Sequence, residues 1–430
     1  MVRRGGVTAA IAAVLVLAAG CVPDPPTPSP SWTPTVLAAS TSPGDEYELP
    51  LVATSDDWWA VIEQRPATGY DATSTLVLHP RTGPDGAPSA TPAQTIPLPP
   101  HVGGLAMSDH VLAVRHRNVL AALDLVDLYR LDAATGSWVF GATVPRALDL
   151  SRLFTMDVSD QALVIGDRPD PLTPGDGSVL VVPVEVTATS LSANVFAAQV
   201  LAPEASWGES DRAGFGRVVT TEGDTLAVSS GTDHVRIYRW TGATWAIDTT
   251  LTSPRAPASD GRFGRSLDVD TDAGEARLLL GDAGGFGGFG GGQPQPGRAV
   301  LYGRGASGWG VVVQFDPRPG NALGGFGYGS EVALDGPLAA VGYHWVQVPG
   351  AGGAGLVDDY RVDLYRLGPT ATLEAELSAL EARGGPLPEQ TNAAAVGLRL
   401  SGTHLAAVGY DGLGAAGNHE YAISWDRHPG

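Results

Sequence analysis

Asp268, Asp270, Asp272 and Glu275 fall within the run Asp268-Val-Asp-Thr-Asp-Ala-Gly-Glu275. Alternate carboxylates on a tight turn converge on one hard cation that takes about six to eight oxygens, so Ca2+ is the ion this spacing would hold. One feature opposes it: Arg277 places a cation beside the turn, where it would repel the metal. A plain acidic hairpin turn is the alternative. Residue types remove other chemistries. All 26 basic residues are arginine, so a lysine Schiff base, a lysine general base and a Walker A loop have no residue to work with. The glycine run 284–292 lacks both that lysine and a strand-to-helix setting, and reads as a loop. No G-x-S-x-G nucleophile elbow occurs. The nine histidines show no H-E-x-x-H pairing, and His404 and His419 belong to separate turns.

The elements that would carry such residues begin after a leader. Arg3 and Arg4 precede an apolar stretch, residues 7–20, which is short for a bilayer span and suits a signal peptide. The Arg pair hints at twin-arginine export, although its flanking residues do not fit. Leu17-Ala-Ala-Gly-Cys21 resembles the bacterial lipobox, which implies cleavage before Cys21 and acylation of its thiol. Cys21 is the only cysteine in the 430 residues, and its place at the cleavage site accounts for its solitude and excludes a structural disulfide. Several acyl chains would make the anchor stable. The expected organisation is a leader over 1–20, then a lipidated Cys21 with a Pro-rich tether and a possible closing strand over 21–46, then one folded domain over 47–430. Localisation follows as lipid-anchored and extracytoplasmic, at a bacterial cell membrane or outer membrane. The formal charge of −20 becomes −22 with loss of Arg3 and Arg4, which disfavours nucleic acid and anionic lipid surfaces as partners.

The folded part is repetitive. A four-residue apolar core recurs seven times and ends at Val61, Val114, Ile165, Val228, Leu280, Val341 and Val408, at intervals of 51 to 67 residues. After most cores comes an alternating strand, often closed by tyrosine (Tyr129, Tyr238, Tyr302, Tyr365), and then a strand led by Trp138, Trp245 or Trp309. A further strand precedes each core and is opened in three repeats by Phe215-Gly216, Phe263-Gly264 and Phe326-Gly327. Four short strands per repeat at this spacing predict an all-β propeller of seven four-stranded blades.

The stretch from Phe215 through Tyr238 to Pro254 resembles an FG-GAP repeat of integrin α-chain head domains, and the likeness strengthens along the chain from about Leu49 to Arg427. The resemblance implies a seven-bladed propeller and assigns the Asp268–Glu275 turn to the place of the family's Ca2+ loops. The seventh repeat ends after its third strand, Tyr421 to Trp425, while Ser31-Trp32 and the residues to Ser40 look like a Trp-led fourth strand. The N-terminal segment is therefore expected to complete the last blade and close the ring.

In this topology the turns between first and second strands are short and polar. Those between second and third strands are long and lie on the opposite face, over 284–297, 342–359 and 409–418. Tyr343, His344, Trp345 and Tyr410 are the expected ligand contacts there, with ordinary packing as the alternative. Without a catalytic motif, the sequence points to a non-catalytic surface binding or adhesion module for a protein or glycan ligand. The competing expectation is a propeller enzyme on extracellular glycans or similar polymers, which would need two partly buried carboxylates about 5–10 Å apart in the central funnel.

Overall fold

Seven antiparallel sheets follow one another around a ring in this computed structural model, which describes residues 31–428 apart from short segments. The longer segments outside the description are 43–50, 66–72, 82–88, 148–151, 170–174, 255–261, 284–295, 319–326, 348–356, 383–392 and 412–417. Blades 1 to 6 are formed by consecutive strands. Blade 4, for example, runs Val218–Glu222, Thr225–Ser229, His234–Trp240 and Trp245–Thr252 from the axis outward. Blade 3 divides its outer edge between two short strands, Leu191–Ala193 and Gln199–Leu201. The innermost strands touch in sequence order, and Ala393–Ser401 of blade 7 returns to Leu51–Thr54 of blade 1. The molecule is a seven-bladed β-propeller.

The recurrent apolar tetrads are the second strands, and their packing explains why they do not alternate with polar residues. Each second strand lies between two neighbouring blades, so its successive side chains enter different cores. Leu112 packs with Ala60 of blade 1, whereas Ala113 packs with Leu163 of blade 3. Leu226 and Ala227 divide in the same way between blades 3 and 5, as do Leu278 and Leu279 between blades 4 and 6. Both faces are buried, and all five residues of Thr225–Ser229 are inaccessible. Each fully buried Leu or Val contributes about 1.5–3 kcal/mol.

Closure occurs as expected. Ser31–Ser42 pairs antiparallel with Asn418–His428, with Trp32 opposite Arg427, and forms the outer strand of blade 7. Trp32 packs on the core shared by blades 6 and 7. The strand joins the two ends of the chain, so that the sheet is paired where it would otherwise leave a free edge.

The tyrosines that close the third strands mark a repeated bulge. Tyr129, Tyr238, Tyr302 and Tyr365 pair with Phe140, Ile247, Val311 and Leu373, and one extra outer-strand residue follows each of these partners. The extra residues are Gly141, Asp248, Val312 and Glu374. Three of the four meet the next blade. Asp248 accepts from Arg304 Nε and Trp309 Nε1 of blade 5, each at 2.9 Å. Glu374 accepts from Arg427 of blade 7 at 2.5 Å. A Cβ on Gly141 would stand 2.6 Å from Leu191 Cβ of blade 3. The bulge bends the outer strand toward its neighbour.

Two sequence expectations shift. The Phe-Gly equivalent of blade 6 is Tyr328-Gly329 and not Phe326-Gly327. Gly329 directs its carbonyl at Gly281 as Gly216 directs its own at Gly166, where a Cβ would lie 2.0 Å and 2.1 Å from the oxygen, and Phe326 lies outside the described residues. Tyrosine takes the phenylalanine's place because its hydroxyl finds Tyr365 at 2.8 Å. The supposed loop 342–359 is strand at both ends, since the second strand continues to Gln347 and the third begins at Val357.

Candidate functional site

The inner strands of all seven blades enclose a central channel of about 690 Å3. At its short-turn end, carboxylates join each blade to the next. Asp56 N–H donates to Asp109 at 3.2 Å, and Ser108 donates to Asp160 at 2.7 Å beside His110, whose Nδ1 lies 2.6 Å from the same carboxylate. Thr271 N–H donates to Glu222 at 3.2 Å, Gly402 N–H to Asp335, and Ser401 Oγ to Asp56 at 3.0 Å. Arg81 of blade 1 also donates to Ser401 Oγ at 2.8 Å. Burial, with Asp56 and Asp160 close by, pushes the Asp109 carboxyl up. The acidic turns are thus the polar rim of the ring, with their oxygens largely committed to neighbouring blades.

Blades 3–4 and 5–6 are joined by the same device. Asp157 accepts from Thr221 N–H and Asp268 from Leu334 N–H, both at 2.8 Å. Two residues before each aspartate, the hydroxyls of Thr155 and Ser266 donate to the carbonyls of Gly216 and Gly329, at 2.9 and 3.1 Å. Asp268 is therefore a joint between blades. Burial in the channel wall pushes its carboxyl up to about 7, against the opposing pull of Arg399, and Asp157 adds a like charge. Asp157 is raised by the same burial.

Of the proposed Ca2+ ligands, Asp270 is paired with Arg277, which also donates to Gly336 O at 2.6 Å. Glu275 is exposed, and Asp272 lies outside the described residues. Among the described residues, no three His, Cys, Asp or Glu groups come together as a metal site. The four proposed ligand contacts do not form a loop cluster. Tyr343 is buried in a polar knot, where its hydroxyl donates to Asp363 at 3.1 Å and receives Arg318 Nη2 at 3.2 Å. Burial and the Asp363 charge push the Tyr343 phenol up. Asp363 is fully buried, accepts from Arg318 at 2.6 Å and lies 3.4 Å from the Tyr328 hydroxyl. His344 and Trp345 follow within the same strand, opposite Tyr360 and Asp359, and Tyr410 pairs with Glu420 in blade 7. Cys21 lies outside the described residues.

The opposite, long-loop end of the channel has another character. A cavity of about 330 Å3, continuous with the channel through Thr155, Val218, Arg265 and Glu331, is lined by Arg115, Arg117, Arg168, Arg217, Arg265 and Glu331. The arginines come from the ends of second strands in blades 2 and 3 and the starts of first strands in blades 4 and 5, which the propeller brings together at the axis. Arg115 donates to buried Asp124 through Nε at 3.2 Å and Nη2 at 3.0 Å, and Arg117 stands 3.9 Å from the same carboxylate. Burial holds the Arg115 guanidinium below its ordinary range. Among the described residues, the guanidinium groups of Arg168, Arg265 and Arg262 oppose the charge of Arg217. Burial and that repulsion push it down to about 10. Glu331, the one carboxylate of this lining, is pushed up to about 8 by burial, against Arg265 and Arg399.

Reading the repeats one at a time missed this cluster, because its members lie 48 residues or more apart between blades and occupy different strand positions. One available signal was Arg217 and Arg265 after their Phe-Gly pairs, which the repeat register superimposes.

No protein-family model matches the chain, and no curated protein matches it. Among solved structures it is similar to the N-terminal domain of Nup159, with a TM-score of 0.37 and 10% identity over 93% of this chain and 98% of that one. A second similar chain comes from an S. cerevisiae complex of Dbp5 with Nup159 and Gle1, with a TM-score of 0.36 and 10% identity over 93% and 96%. The propeller assignment rests on the strand order.

Proposed function

We propose that this protein is a non-catalytic, lipid-anchored extracytoplasmic binding module. In this reading, acylated Cys21 holds it to the membrane, the Pro-rich segment spaces it away, and an FG-GAP-like propeller offers its long-loop face to a protein or glycan ligand. The carrying observation is the contrast between the channel's ends. Carboxylates at the short-turn end are spent on joints between blades, whereas the long-loop end gathers guanidinium groups that outnumber their carboxylates. A rigid ring with a polar mouth in which, among the described residues, cations outnumber carboxylates suits recognition. The test for the anchor is metabolic labelling with a radioactive fatty acid: Cys21→Ser should abolish labelling and release the protein from membranes, and unchanged labelling removes the anchor. Capture of surface glycans or envelope proteins should be lost on substitution of long-loop-face residues and kept on substitution of Asp109 or Asp160.

One observation supports the enzyme reading. Asp157 and Asp268 are partly buried in the channel, interact with each other, and are both raised. Their bonds to backbone N–H groups favour a joint role. Glycan hydrolysis that is lost in Asp268→Asn with the fold intact would reverse this order of preference. For the Asp268–Glu275 turn, a Ca2+-dependent rise in melting temperature that EDTA cancels would support metal binding.

A further inference from the structure

The arginine mouth is in electrostatic deficit. Among the described residues, five guanidinium groups from four blades line one cavity with Glu331 as the only lining carboxylate, and Asp124 stands behind Arg115 and Arg117. Arg217 and Arg265 are half-buried, so their charges are incompletely solvated. Like charges held close under partial burial cost stability unless an anion joins them. Fixed elements hold them there, since Arg217 and Arg265 each follow a glycine of positive φ, Gly216 at 83° and Gly264 at 71°. These positions are therefore set before any ligand arrives.

We infer that this mouth binds a small multivalent oxyanion of the phosphate class, a polyphosphate or a phosphorylated small molecule, with Arg217 and Arg265 as its principal charges. The inference rests on the reading of the long-loop face as the ligand face. Three features select the class. Donors approach from four blades around the axis, which suits tetrahedral groups presenting oxygens in several directions better than a single planar carboxylate. The excess of cations favours a polyanion over a monoanion. Guanidinium forks bind phosphate oxygens in pairs, and the chain has no lysine to serve as a point charge. A cavity of about 330 Å3 admits a group of that size and not a folded nucleic acid. The acidic remainder of the surface slows approach of an anion without filling the mouth.

The test is calorimetric titration of the purified full-length protein with sodium tripolyphosphate, inorganic phosphate and tricarballylate in about 0.15 M NaCl. Tripolyphosphate is expected to bind at least about 10-fold more tightly than inorganic phosphate, to weaken as salt rises, and to raise the melting temperature. Arg217→Gln with Arg265→Gln should weaken it at least about 10-fold, and Glu331→Gln alone, compared at about pH 9 where that carboxyl is ionised, should tighten it about 3-fold by removing the opposing charge. Absence of binding overturns the inference, as does tripolyphosphate binding that ignores both substitutions. Equal affinity for tricarballylate overturns the phosphate class. If the arginine double variant fails to fold, the Glu331→Gln result decides, and no change there counts against the site. Failed tripolyphosphate binding with intact capture of a macromolecular partner on the long-loop face would sink this inference alone. Loss of both would remove the binding-module reading as well.

Discussion

The two ends of the central channel are made from the same seven inner strands, yet they treat charge in opposite ways. At the short-turn end Asp56, Asp109, Asp160, Glu222 and Asp335 each meet a backbone N–H or a hydroxyl of a neighbouring blade, so charge is consumed in closing the ring. At the long-loop end arginines face one another across open space, and Arg217 is surrounded by cations. Conspicuous charge in this chain is therefore a poor guide to function. The acidic turns draw the eye in the sequence and hold the blades together. The scattered arginines are unremarkable in sequence and become a site only when the ring brings them together.

This comparison can be broken most severely by opening the ring itself. Removal of residues 31–44 strips the outer strand from blade 7 and exposes the pairing edge of Asn418–His428. Thermal melting should fall by at least about 5 °C, and an unchanged midpoint would show that the clasp contributes nothing. Next in size is Gly281→Ala, whose Cβ would meet Gly329 O at 2.0 Å. The joint of blades 5 and 6 should lose about 3 kcal/mol in denaturant unfolding. The matching change at Gly310, where a Cβ meets nothing within 4 Å, should be near neutral and serves as its control.

The acidic joints supply the middle of the range. Asp268→Ala leaves Leu334 N–H without its acceptor and should cost about 1–3 kcal/mol, whereas Asp268→Asn keeps an acceptor and should cost less. Their pH dependence has a definite sign. Folded-state values of about 7 for Asp268 and about 8 for Glu331 lie above the unfolded values near about 4. The unfolded chain therefore releases these protons first, and both groups lower stability progressively as pH rises from about 4 to about 8. An Asp268→Asn, Glu331→Gln double variant should show a flatter melting temperature across that window, and an unchanged slope would show that neither group is raised. The smallest effect sharpens the comparison most. Arg217→Gln should raise stability slightly, by up to about 0.5 kcal/mol, because it relieves repulsion from Arg168, Arg265 and Arg262. Removing a charged side chain should thus slightly stabilise the arginine end, whereas removing the acceptor of an acidic joint should destabilise the ring.

Much of the fold was legible because propeller physics is written at short range. A second strand buried on both faces is apolar through its middle without alternation, so the tetrads from Trp58 to Val408 mark the blades directly. The Trp-led segment at Ser31 announced the closing strand because the last repeat lacked one. Less legible was the identity of the Phe-Gly position in blade 6, where Tyr328 performs the phenylalanine's packing and adds a hydroxyl bond. Tyr343 looked like a loop aromatic because the glycine-rich residues after it suggested an early turn, but its strand continues to Gln347 and its hydroxyl serves Asp363.

The sequence alone determined the number of blades, the order of strands within each and the segment that closes the ring, since each follows from local apolar periodicity and turn chemistry. Tertiary structure alone decided which charges are spent and which are exposed. Asp268 is a joint because Leu334 N–H of the next blade faces it, and the charge of Arg217 is disfavoured because it is buried beside Arg168, Arg265 and Arg262. Electrostatic energy depends on distance and burial between residues far apart in the chain, and neither quantity exists until the ring is closed.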